Sequence, residues 1–242
     1  MIDIIIAHKA SMLCNVHLAR LLASIQAAAI NSNSILADEI KIFIVSDQPS
    51  LLTNWSIIQD LDAKLILDLE TSGIYNAYKI GFVNSYSKYC IFIGCDDLIL
   101  DSYFISLSEI LSISEPNLIL FDYIHETKGY IHQNLNKFAL VLGNWCQQAV
   151  VYKRTTLEEL EVIFNEKYKI QADHDLNIRL MKMKRQIKIK KINTASVMFG
   201  AYGASSQMID IDFKRDMHKI VDDSFGRAFG LLSRLRSIAG FL

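Results

Sequence analysis

The sequence predicts an α/β fold, with a Rossmann-like, mostly parallel sheet covered by helices on both faces. Three observations predict it. Short apolar runs alternate with segments of helical periodicity. The runs Ile2–Ala7 and Cys90–Gly94 are almost continuously hydrophobic, as strands buried on both sides require. Polar residues gather where strands stop, at His8-Lys9, Ser46-Asp47 and Gly94-Cys95-Asp96-Asp97. In a parallel sheet these ends share one edge, the edge where ligands bind.

Ile2–Ala7 reads as the first strand, and Leu13–Ala29 as a helix with Val16, Leu18, Leu21, Leu22 and Ile25 at helical spacing. Glu39–Val45 is a second buried strand, closed by the turn signal Ser46-Asp-Gln-Pro-Ser50. Ala63–Leu67 gives a third strand, Ile74–Ser85 a helix and Cys90–Gly94 the central strand. Further strands are expected at Asn117–Tyr123, Ala149–Tyr152 and Thr194–Met198. Leu176, Leu180 and Met183 mark a helix over Asp173–Met183, opened by acidic residues. No repeat or low-complexity linker divides the chain.

At 242 residues the chain is long enough for one sizeable core, and its 51% hydrophobic and 21% charged residues exclude a disordered chain. A net charge of −1 supplies no global attraction to nucleic acid, which is not expected as a partner. Cys14, Cys90, Cys95 and Cys146 sit in apolar stretches without framework spacing, as reduced core residues of a cytoplasmic protein do. Neither a signal peptide nor an uncharged apolar run of about 18–20 residues is recognisable.

Asp96 and Asp97 are the most informative pair. Adjacent carboxylates at the mouth of an apolar strand are costly unless a cation or fixed donors compensate them. Mg²⁺ and Mn²⁺ take oxygen ligands and admit phosphate oxygens to their shell, so this strand end is a candidate metal and phosphate site. Capping of the following turn is the competing role. Asp47 either accepts hydrogen bonds from a nucleobase or ribose, or closes a turn. Asp173 and Asp175 lie at a helix start, where the dipole stabilises a carboxylate by roughly 0.3–1 kcal/mol and keeps it ionised, as a general base must be. Simple N-capping competes there too, and Arg179 is placed to pair with one of the two acids. His174 lacks a partner at ligand spacing and reads as packed or exposed.

Phe225–Leu242 has the pattern of a helix, apolar over about half its circumference with Arg227, Arg234 and Arg236 on it. Three arginines cost about 7.5 to 10 kcal/mol at a bilayer centre, against a gain of about 4 from eight apolar side chains. Such a helix does not span a membrane; it lies on an anionic surface or packs on its own domain.

Four elements in order then match a family. They are Gly73-Ile-Tyr-Asn-Ala-Tyr-Lys-Ile-Gly81, Phe92-Ile-Gly-Cys-Asp-Asp97, Gln147-Gln-Ala149 and Ala172-Asp-His-Asp-Leu-Asn-Ile-Arg179, followed by the loop Gly203-Ala-Ser-Ser206. Over residues 1–207 the chain resembles bacterial glycosyltransferase family 2. The resemblance implies a single GT-A domain over 1–207 and a helical extension over 208–242. It also implies an inverting, metal-dependent transfer of a sugar from a nucleotide sugar, a UDP-sugar first of all, to a hydroxyl of a glycan or lipid-linked acceptor. Capsule, O-antigen or lipopolysaccharide assembly at the inner face of the cell membrane is the context it suggests. Asp96 corresponds to the family's metal-binding acid with Mn²⁺ or Mg²⁺, Asp97 stands beside it, and Asp173 corresponds to the base. Asp47 corresponds to a nucleoside contact, and His8 and Lys9 to the lining of the nucleotide pocket. Departures from the pattern are Gly94 at the first position of the acidic motif, Asn76, Lys79 and Gln147; Lys79 adds a cation that can serve phosphate. Two rival functions are a non-catalytic nucleotide-sugar-binding subunit and a sugar nucleotidyltransferase. The latter is expected to carry a glycine-rich phosphate loop, which His8–Leu13 lacks.

Overall fold

The computed structural model describes residues 1–32, 39–71, 73–200, 203 and 208–238. Strands β1 (Ile2–His8), β2 (Ile40–Ser46), β3 (Lys64–Leu67) and β4 (Tyr89–Gly94) are mutually parallel in the spatial order β3-β2-β1-β4. The sheet continues through β5 (Leu98–Ile99), β6 (Leu118–His125), β7 (Gly129–Ile131), β8 (Val150–Lys153) and β9 (Ile189–Phe199), ordered β8-β6-β9-β5 with β7 on β6. β6 and β9 are parallel, while β8 is inserted antiparallel between β4 and β6.

Helices α1 (Met12–Asn31), α2 (Ser56–Asp60), α3 (Ile74–Asn84), α4 (Ser102–Ile113), α5 (Lys137–Leu142), α6 (Arg154–Glu158), α7 (Ala172–Lys182), α8 (Ile211–Phe225) and α9 (Arg227–Ile238) cover the sheet. Alternation along β1 divides the core in two. Ile2, Ile4 and Ile6 face a cluster with Leu18, Leu21, Leu22 and Ile25 of α1 and Tyr103, Phe104 and Leu107 of α4. Ile5 faces Tyr75, Tyr78 and Phe82 of α3, Leu176 of α7 and Phe213 of α8. At Gly81 a Cβ would stand 2.3 Å from Ile5 Cγ2, so α3 lies against β1 only because that position has no side chain. Asp3, the polar residue of β1, is fully buried and accepts hydrogen bonds from the Tyr86 amide (2.8 Å) and the Ser87 hydroxyl (2.6 Å), with Arg154 Nη2 at 3.4 Å.

By length and hydropathy α1 could cross a membrane, yet its Leu18–Ile25 face is core. The strand expected at Thr194–Met198 extends over all of β9, and α4 and α8 are helices that the apolar pattern did not delimit. The C-terminal helix expected from Phe225 begins at Arg227: Gly226, with φ of +94°, separates it from α8, and residues 239–242 lie outside the described residues. Both helices pack on the body. Phe213, Met217 and Val221 enter the second core cluster, and Arg236 donates to the Val141 carbonyl at 2.6 Å.

Candidate functional site

Register fixes the site. His8 pairs with Ser46, Ala7 with Gly94, and Ser46 with Leu67, so β1 to β4 end on one line. The residues that follow them, Lys9, Asp47, Asp68 and Asp96, therefore stand on one edge. Because β8 is reversed, its leading residues Gln147 and Gln148 come to the same edge, as does Gly200 after β9. Two cavities open there, about 350 Å³ over β1–β3 and about 250 Å³ between α3 and α7. Ile74, Gly94, Asp96 and Gly203 line both. Ile74 is also the first residue of α3, so the positive end of that helix stands at the junction.

The larger cavity holds four of the expected residues. His8 is almost completely buried, with Nδ1 3.0 Å from Ser46 Oγ and Nε2 2.9 Å from Asn15 Oδ1; burial lowers its pKa and keeps the ring neutral. Its ring is a strut beneath the cavity. Lys9 is exposed at the rim. Asp47 accepts the Ala10 amide at 2.7 Å through Oδ1, which fixes the β1–α1 turn, and it lines the cavity. Asp96 closes the far end.

Asp68 is a lining residue that sequence reasoning missed. It is nearly buried, accepts the amides of Glu70 and Thr71 at 3.2 Å, and is tied to β2 by its own amide. The signal was present: Asp68 directly follows the strand expected at Ala63–Leu67, as Asp47 and Asp96 follow theirs.

Asp96 and Asp97 have separate fates. Asp97 is fully buried, with Oδ1 accepting the Gly200 amide at 3.0 Å and Oδ2 the Gly94 amide at 3.1 Å. It pins the end of β4 to the end of β9 and lines neither cavity, contrary to its expected ligand-binding place. Its pKa is raised by burial and then by the Asp96 charge beside it. Asp96 faces the junction, its pKa raised by burial. A Cβ at Gly203 would lie 2.9 Å from Asp96 Oδ2, and one at Gly200 2.5 Å from the Asp96 carbonyl, so small residues cradle this acid. Residues 201–202 and 204–207 of the expected loop lie outside the described residues.

Does this set suit a divalent cation? Among the described residues no three His, Cys, Asp or Glu converge, so a closed protein cage is excluded there. One open carboxylate beside a phosphate-sized space suits Mg²⁺ or Mn²⁺, which complete their shell with phosphate and water. Asp96 is the residue that would hold it.

The smaller cavity is built around Asp173. Its Oδ1 accepts the Tyr75 hydroxyl and its Oδ2 the Asn144 amide, each at 2.6 Å. Burial pushes the carboxyl up to about 6, against the lowering effect of Tyr75, Asn144 and the helix amides. Asp175, the alternative, turns away: it is buried and paired with Arg179 Nε at 2.9 Å. His174 is buried against Phe213 with Nε2 2.7 Å from the Leu140 carbonyl, and burial lowers it to about 4. Lys79 lies outside both cavities. Its ammonium pairs with the exposed Glu166, although position 79 lies one turn beyond the cavity-lining Tyr75 on α3. The phosphate role expected of it is not supported by its place.

No family model matches the sequence, and no curated protein resembles it in sequence. Solved structures do resemble it in shape. S. aureus TarS residues 1–349 superimpose with a TM-score of 0.73 at 13% identity, covering 99% of this chain and 72% of that one. The same TarS segment in complex with UDP-GlcNAc gives 0.72 at 14% identity, covering 99% and 71%. A longer TarS chain gives 0.71 at 13% identity, and there the present chain spans only 42% of its length. Over nearly its whole length, this chain shares the fold of TarS.

Proposed function

We propose that the protein is an inverting glycosyltransferase of the family 2 type that moves a sugar from a UDP-sugar to a hydroxyl of a glycan or lipid-linked acceptor. The observation that carries the reading is the position of Asp173. It is an acid held near pKa 6, in a cavity that meets the nucleotide-sized cavity at Asp96. TarS complexes with UDP and UDP-GlcNAc add support.

In this reading the nucleoside occupies the larger cavity beside Asp47 and Asp68, and the diphosphate crosses the junction at the start of α3. Asp173 takes the proton of the acceptor hydroxyl. The hydroxyl oxygen then bonds to the anomeric carbon as the bond from that carbon to the diphosphate oxygen breaks, and UDP leaves. Asp96 would hold a Mn²⁺ or Mg²⁺ ion, which would neutralise charge on the leaving diphosphate. Tyr75 and Asn144 orient the base and keep its pKa from rising further.

Residues 1–207 form the catalytic domain in this proposal and 208–242 its helical extension. The exposed side of α9, with Leu231 and Leu235 beside Arg227 and Arg234, suits the anionic inner face of a bacterial membrane where capsule, O-antigen or lipopolysaccharide precursors are assembled. The test is calorimetry of UDP and a panel of UDP-sugars with Mn²⁺, followed by a transfer assay on Asp173→Asn. Donor binding retained with transfer lost is the expected result. Absence of binding by every nucleotide sugar overturns the proposal.

A further inference from the structure

Buried polar atoms without partners are rare, and each calls for an explanation. Among the described residues five buried side-chain atoms have none, and three of them belong to Tyr78 and Gln147. Both residues line the same cavity as Asp173. Tyr78 is 1% exposed and Gln147 5% exposed, so bulk water does not serve them.

Their surroundings hold them in place. The Tyr78 ring packs on Phe92 (5.2 Å) and Phe164 (5.9 Å), and its hydroxyl has no partner, whereas the Tyr75 hydroxyl one turn earlier is bonded to Asp173. Gln147 lies in the short turn Gln147–Ala149 that leads into β8. Its neighbours are engaged: Gln133 Oε1 accepts the Cys146 amide at 2.6 Å, and Gln148 bonds Asp97 and Cys146. Gln147 alone of these amides is unmatched at both ends.

We infer that Tyr78 and Gln147 form a subsite that reads two neighbouring hydroxyl groups on the hexopyranosyl ring of the donor. The inference rests on the glycosyl-transfer reading above and makes it more specific. A carboxamide offers donors and an acceptor side by side, and a tyrosine hydroxyl offers one more of each. A pair of adjacent ring hydroxyls presents the complementary set. Trp145 is buried in the same wall, its indole nitrogen taken by the Asn134 carbonyl at 3.0 Å, so it supplies apolar surface to the sugar and leaves the polar reading to the other two. A site built to bond a hydroxyl discriminates strongly against an analogue lacking it, because its own groups are then left unpaired.

The same orphaned atoms make the proposal testable without loss of fold. Gln147→Leu conserves volume and Tyr78→Phe removes one oxygen, so each variant discards an unsatisfied group and melts no lower than wild type in the absence of ligand. Binding is measured by calorimetry with Mn²⁺ for UDP, for whichever of UDP-glucose, UDP-galactose and UDP-N-acetylglucosamine binds most tightly, and for its 3-deoxy and 4-deoxy congeners. Wild type prefers the parent sugar over one deoxy congener by about tenfold or more. In Gln147→Leu that preference falls to within about twofold, while affinity for UDP itself is unchanged. Equal weakening of UDP and UDP-sugar overturns the subsite, as does discrimination that survives both substitutions; the second result would assign the orphaned atoms to a buried water alone. Failure of UDP and every UDP-sugar to bind wild type removes the transfer reading itself, a different outcome.

Discussion

Tyr75 Oη lies 2.6 Å from Asp173 Oδ1, joining the first turn of α3 to the first turn of α7 across 98 residues of sequence. The same oxygen is 2.6 Å from the Ile170 carbonyl, so Tyr75 ties Asp173 to the loop that precedes it. Tyr75→Phe is expected to leave the fold intact and to raise the Asp173 pKa by about one unit, the worth of one such hydrogen bond. The acidic limb of the proposed transfer, expected near pH 6 for wild type, would then move upward. An unmoved limb would separate Tyr75 from the titration of the base.

Asp173 also couples stability to pH. Its folded pKa of about 6 lies above an unfolded value near 3.9, so its contribution to stability is fully present below about pH 4 and is lost as pH rises through 6. The loss is on the order of 3 kcal/mol at neutral pH. Asp173→Asn is therefore expected to melt at or above the wild-type temperature at pH 8, while transfer falls by about 10²–10⁴-fold. Thermal melts at pH 4, 6 and 8 beside transfer rates check both halves. A variant that transfers at the wild-type rate would point to a binding protein with another role.

Neighbouring aspartates are expected to fail differently. Asp97→Ala strips the partner from two buried amides, those of Gly94 and Gly200, at a cost of about 1–3 kcal/mol for each group left unsatisfied. Its melting temperature falls sharply. Asp96→Asn keeps its melting temperature but loses the Mn²⁺-dependent part of UDP-sugar affinity. Calorimetry with and without Mn²⁺, read beside the melts, distinguishes the two.

Lys79→Ala is expected to be nearly silent. The Lys79–Glu166 pair is solvent-exposed, and such pairs contribute little. The melting temperature stays within about 2 °C of wild type, and UDP-sugar affinity is unchanged. A tenfold loss of affinity would return Lys79 to the phosphate site.

The membrane proposal is tested on α9. Leu231→Ser with Leu235→Ser removes two exposed apolar side chains and is expected to abolish co-sedimentation with vesicles containing anionic lipid. Substitution of Arg227 and Arg234 by Gln is expected to weaken binding most at low salt, since attraction to the surface is screened by ions. Sedimentation that no substitution alters rules out α9 as the contact.

The apolar runs made the parallel half of the sheet legible, because β1, β2 and β4 are largely buried on both faces and read as nearly continuous hydrophobic segments. Their shared edge followed from topology, and with it the neighbourhood of His8, Lys9, Asp47 and Asp96. What did not follow was the division of labour between adjacent acids. Asp96 and Asp97 are chemically identical, and only the return of β9 to the end of β4 decides which one is sealed in by backbone amides. The same holds for Asp173 and Asp175, where Arg179 one turn along claims the second. β8 was legible as a strand, but its reversed direction is invisible in periodicity, and it is the reversal that delivers Gln147 to the cavity.

Gly94 looks in sequence like a lost ligand. A Cβ on it would meet Asp96 Oδ1 at 2.9 Å and Asp97 Oδ2 at 3.0 Å. Asp97 is held by two backbone bonds, so it cannot give way cheaply. Engineering the customary acid back into this position would therefore jam the joint it was meant to improve. One carboxylate, Asp96, is left open to the junction, and in the proposed metal site any increase in affinity by design has to come from the opposite wall.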